Sequence, residues 1–101
     1  MEYTYYIDKG KEEEYRKWAQ EVGIPHWLSV PGFKEMRGYS EMGSGKFRSE
    51  LEFESYTAWG KAMDDPKMKE ISTTFASYTH GLKWHLWSAS PMMPGPLKAS
   101  K

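Results

Sequence analysis

The chain has 101 residues, enough for one domain and too few for two. Its 14 basic and 14 acidic residues cancel, which disfavours nucleic-acid binding, and the absence of Cys excludes disulfides, thiolate metal sites and a Cys nucleophile. No apolar run is long enough to cross a bilayer and residues 1–6 lack the regions of a signal peptide. We therefore expect an intracellular, cytoplasmic protein with neither a membrane nor a nucleic acid as its partner.

The first part of the chain predicts a strand followed by helical structure. Residues 2–8 are rich in strand formers and alternate between two faces. Asp8 is a possible N-cap for a helix over residues 11–22, in which apolar side chains recur at helical spacing. Gly23 is expected to end this helix as a C′ glycine, and Pro25 to start a short second helical turn.

Two strands and a hairpin follow. Residues 33–41 predict the second strand, and residues 46–54 predict the third strand because their apolar and charged side chains alternate strictly. The glycine-rich segment between them, residues 42–45, predicts a flexible hairpin loop.

The second part of the chain predicts two helical segments in succession. Ser55 is a plausible N-cap for the first of them. Residues 64–66, Asp-Asp-Pro, interrupt the pattern, because a residue that precedes proline disfavours helix. Residues 67–79 form the second segment, and residues 80–81, His-Gly, are expected to end it.

A fourth strand is predicted over residues 82–89, where apolar and polar side chains alternate again. The tail, residues 90–101, holds three Pro and one Gly and shows no helix or strand pattern. It is either an extended arm that packs through Met92 and Met93 or a frayed end.

The order β-α-β-β-α-β predicts an α+β, ferredoxin-like domain over residues 1–89, with a four-stranded antiparallel sheet. Helices cover one face of such a sheet. The other face should carry polar and aromatic side chains together, namely Thr4, Tyr6, Arg48, Glu50, Glu52, His85 and Trp87. A second sheet packed against this face explains Tyr6 and Trp87 better than solvent does, so we predict a homodimer or higher homo-oligomer. A wet face with scattered aromatic residues is the alternative.

Two segments resemble the dimeric α/β-barrel superfamily. Residues 25–33, Pro-His-Trp-Leu-Ser-Val-Pro-Gly-Phe, resemble its helix-to-strand passage, P-x-x-x-x-V-P-G-F. Residues 53–59 followed by residues 64–66 resemble the point where a strand ends and a helix begins on a small polar residue, with a Trp one turn later. The nearest relatives by this resemblance are the antibiotic-biosynthesis-monooxygenase-like, EthD-like and NIPSNAP-like families, and it covers residues 2–89. The implied fold is a dimeric α/β barrel.

The same resemblance implies several activities, among them cofactor-free oxygenation of aromatic substrates, haem breakdown, isomerisation of small lactones and ligand sensing. Haem-degrading members rely on an Asn, and this chain has none, which puts haem breakdown in doubt. The leading hypothesis is a cofactor-independent monooxygenase that acts on a planar aromatic or quinol-like substrate. The alternative is a non-catalytic ligand-binding or self-assembling dimeric module, because fold alone establishes no reaction.

Histidine is the residue type most suited to proton transfer here. His26 is the candidate catalytic residue, since an imidazole near pH 7 can accept or donate a proton at the mouth of a pocket; a helix-surface position is the alternative. His80 is expected to interact with a helix C-terminus, and His85 with Glu50 or Glu52 between sheets. No His has a metal-ligand partner at i+3 or i+4, and no nucleotide or flavin motif is present, so we expect neither a metal nor a cofactor.

Large aromatic side chains are predicted to bind the substrate by lining a flat apolar cavity, with plain core packing as the alternative. These residues are Trp27, Tyr39, Trp59, Phe75 and Tyr78. Arg37 shares a face of the second strand with Tyr39. It is suited either to a substrate carboxylate or phenolate or, as we favour, to a charge network between sheets.

Overall fold

The computed structural model describes residues 1–93 and 95–100, so Pro94 and Lys101 of the predicted tail lie outside the described residues. One antiparallel sheet has the strand order β2-β3-β1-β4. Its strands are β1 (Glu2–Ile7), β2 (Phe33–Ser40), β3 (Phe47–Phe53) and β4 (Thr79–His85). The helices are α1 (Glu12–Trp18), α2 (Ile24–Ser29), α3 (Tyr56–Asp64) and α4 (Pro66–Tyr78), with a π-helical turn, Ala19–Gly23, between the first two. The predicted ferredoxin-like βαββαβ fold is confirmed.

The core lies between the helices and one face of the sheet. Alternation along β3 turns Ser49 and Leu51 towards the helices, and Leu51 is only 2 % exposed. Leu51 belongs to one apolar cluster with residues from α2, α3 and α4 and the segment after α2. Its buried members are Trp27, Val30, Leu51, Ala62, Met68 and Ile71.

The first helical region differs from its prediction at both ends. Asp8 does not cap α1, because the N-cap position is Lys11, and within the described structure no side chain caps this end. Gly23 does not end a helix, since its backbone is helical (φ −64°) and the chain passes through the π-helical turn into α2. Pro25 lies in the first turn of α2, as predicted, where its fixed φ suits a helix.

The helix pair α3–α4 follows its prediction closely. The Ser55 hydroxyl accepts a hydrogen bond from the Ala58 backbone N–H at 3.1 Å, which confirms the predicted N-cap. The chain breaks at Asp65, whose extended backbone precedes Pro66. The Asp65 carboxylate then accepts from the Lys67 N–H at 3.1 Å and so begins α4. The predicted interruption is therefore a cap between two helices.

The fourth strand begins three residues earlier than predicted, and the prediction that residues 80–81 end a helix was wrong. Helix α4 ends at Tyr78 and β4 begins at Thr79 without a loop. Gly81 (φ +68°) lies inside the strand, close to an irregularity in the β1–β4 register between Thr4 and Tyr6. A glycine that relaxes a bulge carries the same sequence signal as one that ends a helix.

The outer face of the sheet carries the predicted polar and charged side chains, but β4 ends at His85, so Trp87, which was predicted on this face, lies in the segment after the strand. Arg48 forms ion pairs with Glu50 and, at 3.4 Å, with Glu2. The Tyr39 hydroxyl donates to Glu50 at 3.2 Å. His85 lies 3.5 Å from Glu2, so its predicted pairing with Glu50 or Glu52 is corrected, because the β1–β4 register places Glu2 opposite it.

His80 also has a different partner from the one predicted. Its Nδ1 lies 2.7 Å from the Asp8 carboxylate, and its ring stacks on Tyr6 at 5.4 Å. The expected contact with a helix C-terminus does not occur, because His80 belongs to β4. The pair thus joins the start of β4 to the segment after β1.

The segment after β4 leaves large apolar side chains exposed. Trp87 is 70 % and Met92 87 % exposed, and a short turn closes through a bridge between Ser90 and Met93. Across the described residues, no helix has both the length and the apolar character that crossing a bilayer requires.

Candidate ligand cavity

A cavity of about 700 Å³ lies between the sheet and the helices. This volume falls within the range of roughly 300–1,000 Å³ that is typical of small-molecule sites. Most of its wall is aromatic or aliphatic, contributed by the four strands on one side and by the helices on the other. The large side chains in the wall include Tyr3, Tyr5, Tyr15, Trp18, Trp27, Phe47, Ile71, Phe75, Leu82 and Trp84.

Phe75 of α4 holds the aromatic wall together. Its ring meets Tyr5 at 4.9 Å and Tyr3 at 5.6 Å between centroids, both edge to face. It also meets Tyr15 of α1 edge to face, at 6.0 Å. Because edge-to-face contacts fix the orientation of each ring, three elements hold the wall before any ligand enters.

A pair of tyrosine hydroxyls contributes hydrogen-bonding atoms to this mostly apolar wall. The Tyr5 and Tyr15 oxygens are 2.9 Å apart and join β1 to α1. Their mutual hydrogen bond uses one of the two hydroxyl protons, which leaves the other for a ligand oxygen. Burial, followed by the proximity of Tyr5, raises the pKa of Tyr15 well above its ordinary value. Tyr15 therefore keeps its proton at neutral pH and acts as a hydrogen-bond donor and not as a base.

Tyr3 brings a third tyrosine hydroxyl to the wall. Burial raises its pKa to about 12, an effect that the neighbouring Ser49 hydroxyl partly opposes. Tyr3 lies opposite Ser49 in the β1–β3 register, so adjacent strands place the two polar groups on the cavity side together.

Charged side chains of both signs surround the cavity where it meets solvent. Glu12, Glu13, Arg16 and Arg37 are exposed and contribute to its lining. Arg16 pairs with Glu13 at 2.6 Å, and Arg37 pairs with Glu35 at 2.9 Å. Since these arginines already have acidic partners, the opening has no strong preference for one ligand charge.

The structure brings some of the predicted substrate-binding residues into this wall and not others. Trp27 and Phe75 line the cavity. Tyr78 stands behind it, with its ring 6.0 Å from Trp18. Tyr39 lies on the outer face, because the β2–β3 register places it opposite Arg48. Trp59 borders a separate groove, and its indole N–H donates to the Met1 sulfur at 3.2 Å.

His26, the predicted catalytic residue, is also placed away from the cavity. Among the described residues that line the cavity, His26 does not appear. Its side chain is 12 % exposed, and its Nε2 lies 4.0 Å from the Asp65 carboxylate. Within the described structure this buried nitrogen has no hydrogen-bond partner. The imidazole therefore sits between α2 and the α3–α4 junction, and its catalytic role stays a prediction.

Sequence reasoning missed the tyrosine hydroxyl pair. Tyr5 lies in the predicted first strand and Tyr15 in the predicted first helix, and nothing in their spacing along the chain brings the two hydroxyls together. The available signal was that both aromatic side chains end in a hydroxyl, which needs a hydrogen-bond partner when it is buried.

Within the described residues, no group of three or more His, Asp or Glu side chains is arranged to hold a metal ion.

Comparison with known proteins gives a fold and no sequence relative. No family model and no curated protein matches the chain. SnoaB, a cofactor-independent oxygenase from Streptomyces nogalater, is 13% identical with a TM-score of 0.66 over 86% of this chain and 91% of that one. An EthD family protein from Bacillus halodurans is 12% identical with a TM-score of 0.61 over 84% and 96%. A Bacteroides thetaiotaomicron protein described as an antibiotic biosynthesis monooxygenase is 20% identical with a TM-score of 0.66 over 97% and 92%.

The chain has the ferredoxin-like fold of these proteins. The resemblance found in the sequence is thereby confirmed for the ferredoxin-like fold of the single chain, and the dimeric barrel stays a prediction. At such low identity the similarity carries no residue roles and no substrate across to this chain.

Proposed function

We propose that this protein is a small-molecule oxygenase that needs no cofactor and binds a planar phenol-type or quinol-type substrate in the cavity between sheet and helices. The observation that carries the proposal is the aromatic cavity of about 700 Å³ with the Tyr5–Tyr15 hydroxyl pair in its wall. The names of the fold neighbours, which include a cofactor-independent oxygenase, support the same reaction class.

The cavity suits a flat ring with one polar substituent. The rings of Phe75, Tyr3 and Phe47 offer faces and edges against which a planar substrate packs. The hydroxyl of the Tyr5–Tyr15 pair whose proton is free then donates a hydrogen bond to the substrate oxygen. A hydrogen bond of this kind stabilises a bound phenolate more than a neutral phenol, because the charged acceptor is the stronger one.

The reaction that follows needs only the substrate and dioxygen. A phenol that has lost its proton to solvent is an electron-rich phenolate and reduces O2, so that a phenol and O2 yield a quinone and water. The water takes up the phenolic proton and the ring hydrogen that the new oxygen displaces. One oxygen atom forms the new carbonyl, the other leaves as water, and the substrate supplies all four electrons. In this scheme the residues of the wall bind and orient the ring, exclude water and hold the phenolate by hydrogen bonding.

We also propose that two copies pair through the outer faces of their sheets. Support comes from the groove at that face, where Arg48 and Glu50 lie beside the exposed Trp87 of the segment after β4. A surface that carries both charges can match a rotated copy of itself, as a two-fold interface requires.

The experiment that tests the proposed function is dioxygen consumption with hydroquinone and a naphthol as substrates. Tyr15→Phe keeps the ring and removes one hydroxyl of the pair. We expect it to lower kcat/KM by roughly tenfold, since a lost hydrogen bond to a charged group is worth about 1.5 kcal/mol or more. Tyr56→Phe is the matched control, because Tyr56 is 74 % exposed and lies outside the cavity.

Two results would contradict the proposal. One is substrate binding without dioxygen consumption, which would instead favour the non-catalytic ligand-binding module. The other is an equal loss of kcat/KM in Tyr15→Phe and Tyr56→Phe, which would show that the hydroxyl pair does not contact the substrate.

A further inference from the structure

The backbone conformation at Gly23 does not require a glycine. It is buried in the π-helical turn, and its φ of −64° is ordinary for any residue. Glycine within a helix is less favourable than alanine, because it loses more backbone freedom on folding. A side-chain reason must therefore account for it.

That reason is the indole of Trp18. A methyl group on Gly23 would lie 3.1 Å from the Trp18 Cη2 atom and 3.2 Å from Cζ3, tighter than an ordinary contact. The π-helical turn produces this approach: the Ile24 N–H donates to the Ala19 carbonyl five residues earlier, and such widening brings positions 18 and 23 together. Only a hydrogen atom at position 23 leaves the indole where it is.

The contact affects the cavity, because Trp18 and Gly23 both line it. A side chain at position 23 forces the indole away from the turn. Its other aromatic neighbours are Tyr15 at 6.0 Å, Tyr78 at 6.0 Å and Phe75 at 6.5 Å between centroids. Tyr15 and Phe75 are themselves part of the wall, so a shift of the indole changes the space that these rings leave for a ligand.

We propose that Gly23 is a specificity-determining residue that keeps the Trp18 indole in the wall and thereby sets the largest ring system the cavity accepts. This inference rests on the proposed ligand site and adds a size limit to it. The residue acts through Trp18, so it is a positioning residue and takes no part in chemistry.

The test is calorimetric titration with phenol, a naphthol and a phenanthrol, which have one, two and three fused rings. Gly23→Val should weaken phenanthrol binding by about tenfold or more and phenol binding by less than about twofold, because a misfit of one or two methyl groups has that scale of effect. Gly23→Ala should also weaken phenanthrol binding more than phenol binding, but by a smaller factor than Gly23→Val. This variant provides the test if Gly23→Val does not fold. Adding Trp18→Phe to Gly23→Val removes the clashing ring atoms and should restore phenanthrol binding.

Gly60→Ala is the matched control. Gly60 lies inside α3, and no described atom is within 4 Å of the position its Cβ would take. We expect all three affinities to stay at their wild-type values in this variant.

The outcomes separate this inference from the proposed function. If the Gly23 variants lose affinity in order of ligand size but the protein consumes no dioxygen, the proposed oxygenase activity is contradicted and the proposed role of Gly23 is supported. Equal losses for all three ligands in the Gly23 variants, or no binding of any of them by the wild type, would overturn the inference.

Discussion

At the scale of single residues, the buried tyrosines make stability depend on alkaline pH. Burial raises the pKa of Tyr3 to about 12 and that of Tyr15 further, whereas an unfolded tyrosine ionises near 10.0. Below pH 10 both states keep these protons and the stabilisation is fully present. Above it the unfolded chain binds fewer protons than the folded one. The free energy of unfolding should therefore fall as pH rises from about 10 towards 12, by up to about 1.4 kcal/mol per pH unit for each group.

Tyr3→Phe removes one of these contributions. We expect a shallower loss of stability between pH 10 and 12, measured by urea unfolding at several pH values. Tyr56→Phe, an exposed tyrosine, should retain the wild-type slope. Identical slopes in all three proteins would contradict the burial of the Tyr3 hydroxyl.

His26 raises a second question at this scale, because its position favours a packing role over a catalytic one. Its imidazole is nearly buried beside Asp65 and joins α2 to the α3–α4 junction. His26→Ala should lower the free energy of unfolding by about 1–2 kcal/mol and change kcat/KM for the best phenol by less than about twofold. His85→Ala, an exposed substitution, is the control. A tenfold loss of kcat/KM with unchanged stability would restore the catalytic role.

At the scale of elements, the entry into β2 depends on a close approach to α3. Gly32 has φ +80°, and a Cβ there would lie 2.5 Å from the Ala58 Cβ. Gly43 has φ +86° in the hairpin, where no described atom would meet its Cβ. Gly32→Ala should therefore cost about 3 kcal/mol or more, and Gly43→Ala only about 1–2 kcal/mol. Chemical denaturation measures both, and equal losses would contradict the packing of this turn on α3.

The elements also show what the sequence can and cannot predict. Strand alternation and helical spacing located β1, β2, β3, α3 and α4 to within a residue or two, because those periods reflect burial directly. The predictions that Gly23 and Gly81 end helices were wrong. Glycine is favoured at a helix C-cap, at a tight contact with a side chain and at a β-bulge, so the residue type alone does not distinguish the three. Which of these applies depends on a neighbour in space, Trp18 for the first and Tyr6 for the second.

The residues of the candidate site were likewise predicted only in part. Trp27 and Phe75 were predicted and line the cavity. The Tyr5–Tyr15 pair was not, because it depends on how α1 crosses β1, which spacing along the chain does not encode. Tyr39 was predicted to line the cavity but lies on the outer face. Because β2 is an edge strand whose residues are mostly exposed, the alternation of its side chains does not show clearly which face is the cavity side.

At the scale of the whole molecule, the outer sheet face predicts self-association. Sedimentation velocity should show a dimer, and Trp87→Glu should weaken it by about tenfold or more by adding charge to a buried interface. Met42→Glu in the exposed hairpin is the control and should leave the dimer unchanged. A wild-type chain that stays monomeric at high concentration would contradict the proposed pairing.

The central claim is that the aromatic cavity holds a phenol while dioxygen oxidises it. The most direct measurement is mass spectrometry of the product formed from a naphthol under isotopically labelled dioxygen. The proposed reaction predicts a quinone that carries one labelled oxygen atom, with the other atom in water, and a rate that falls in Tyr15→Phe. A quinone without label, or a labelled product formed equally fast without the protein, would contradict it.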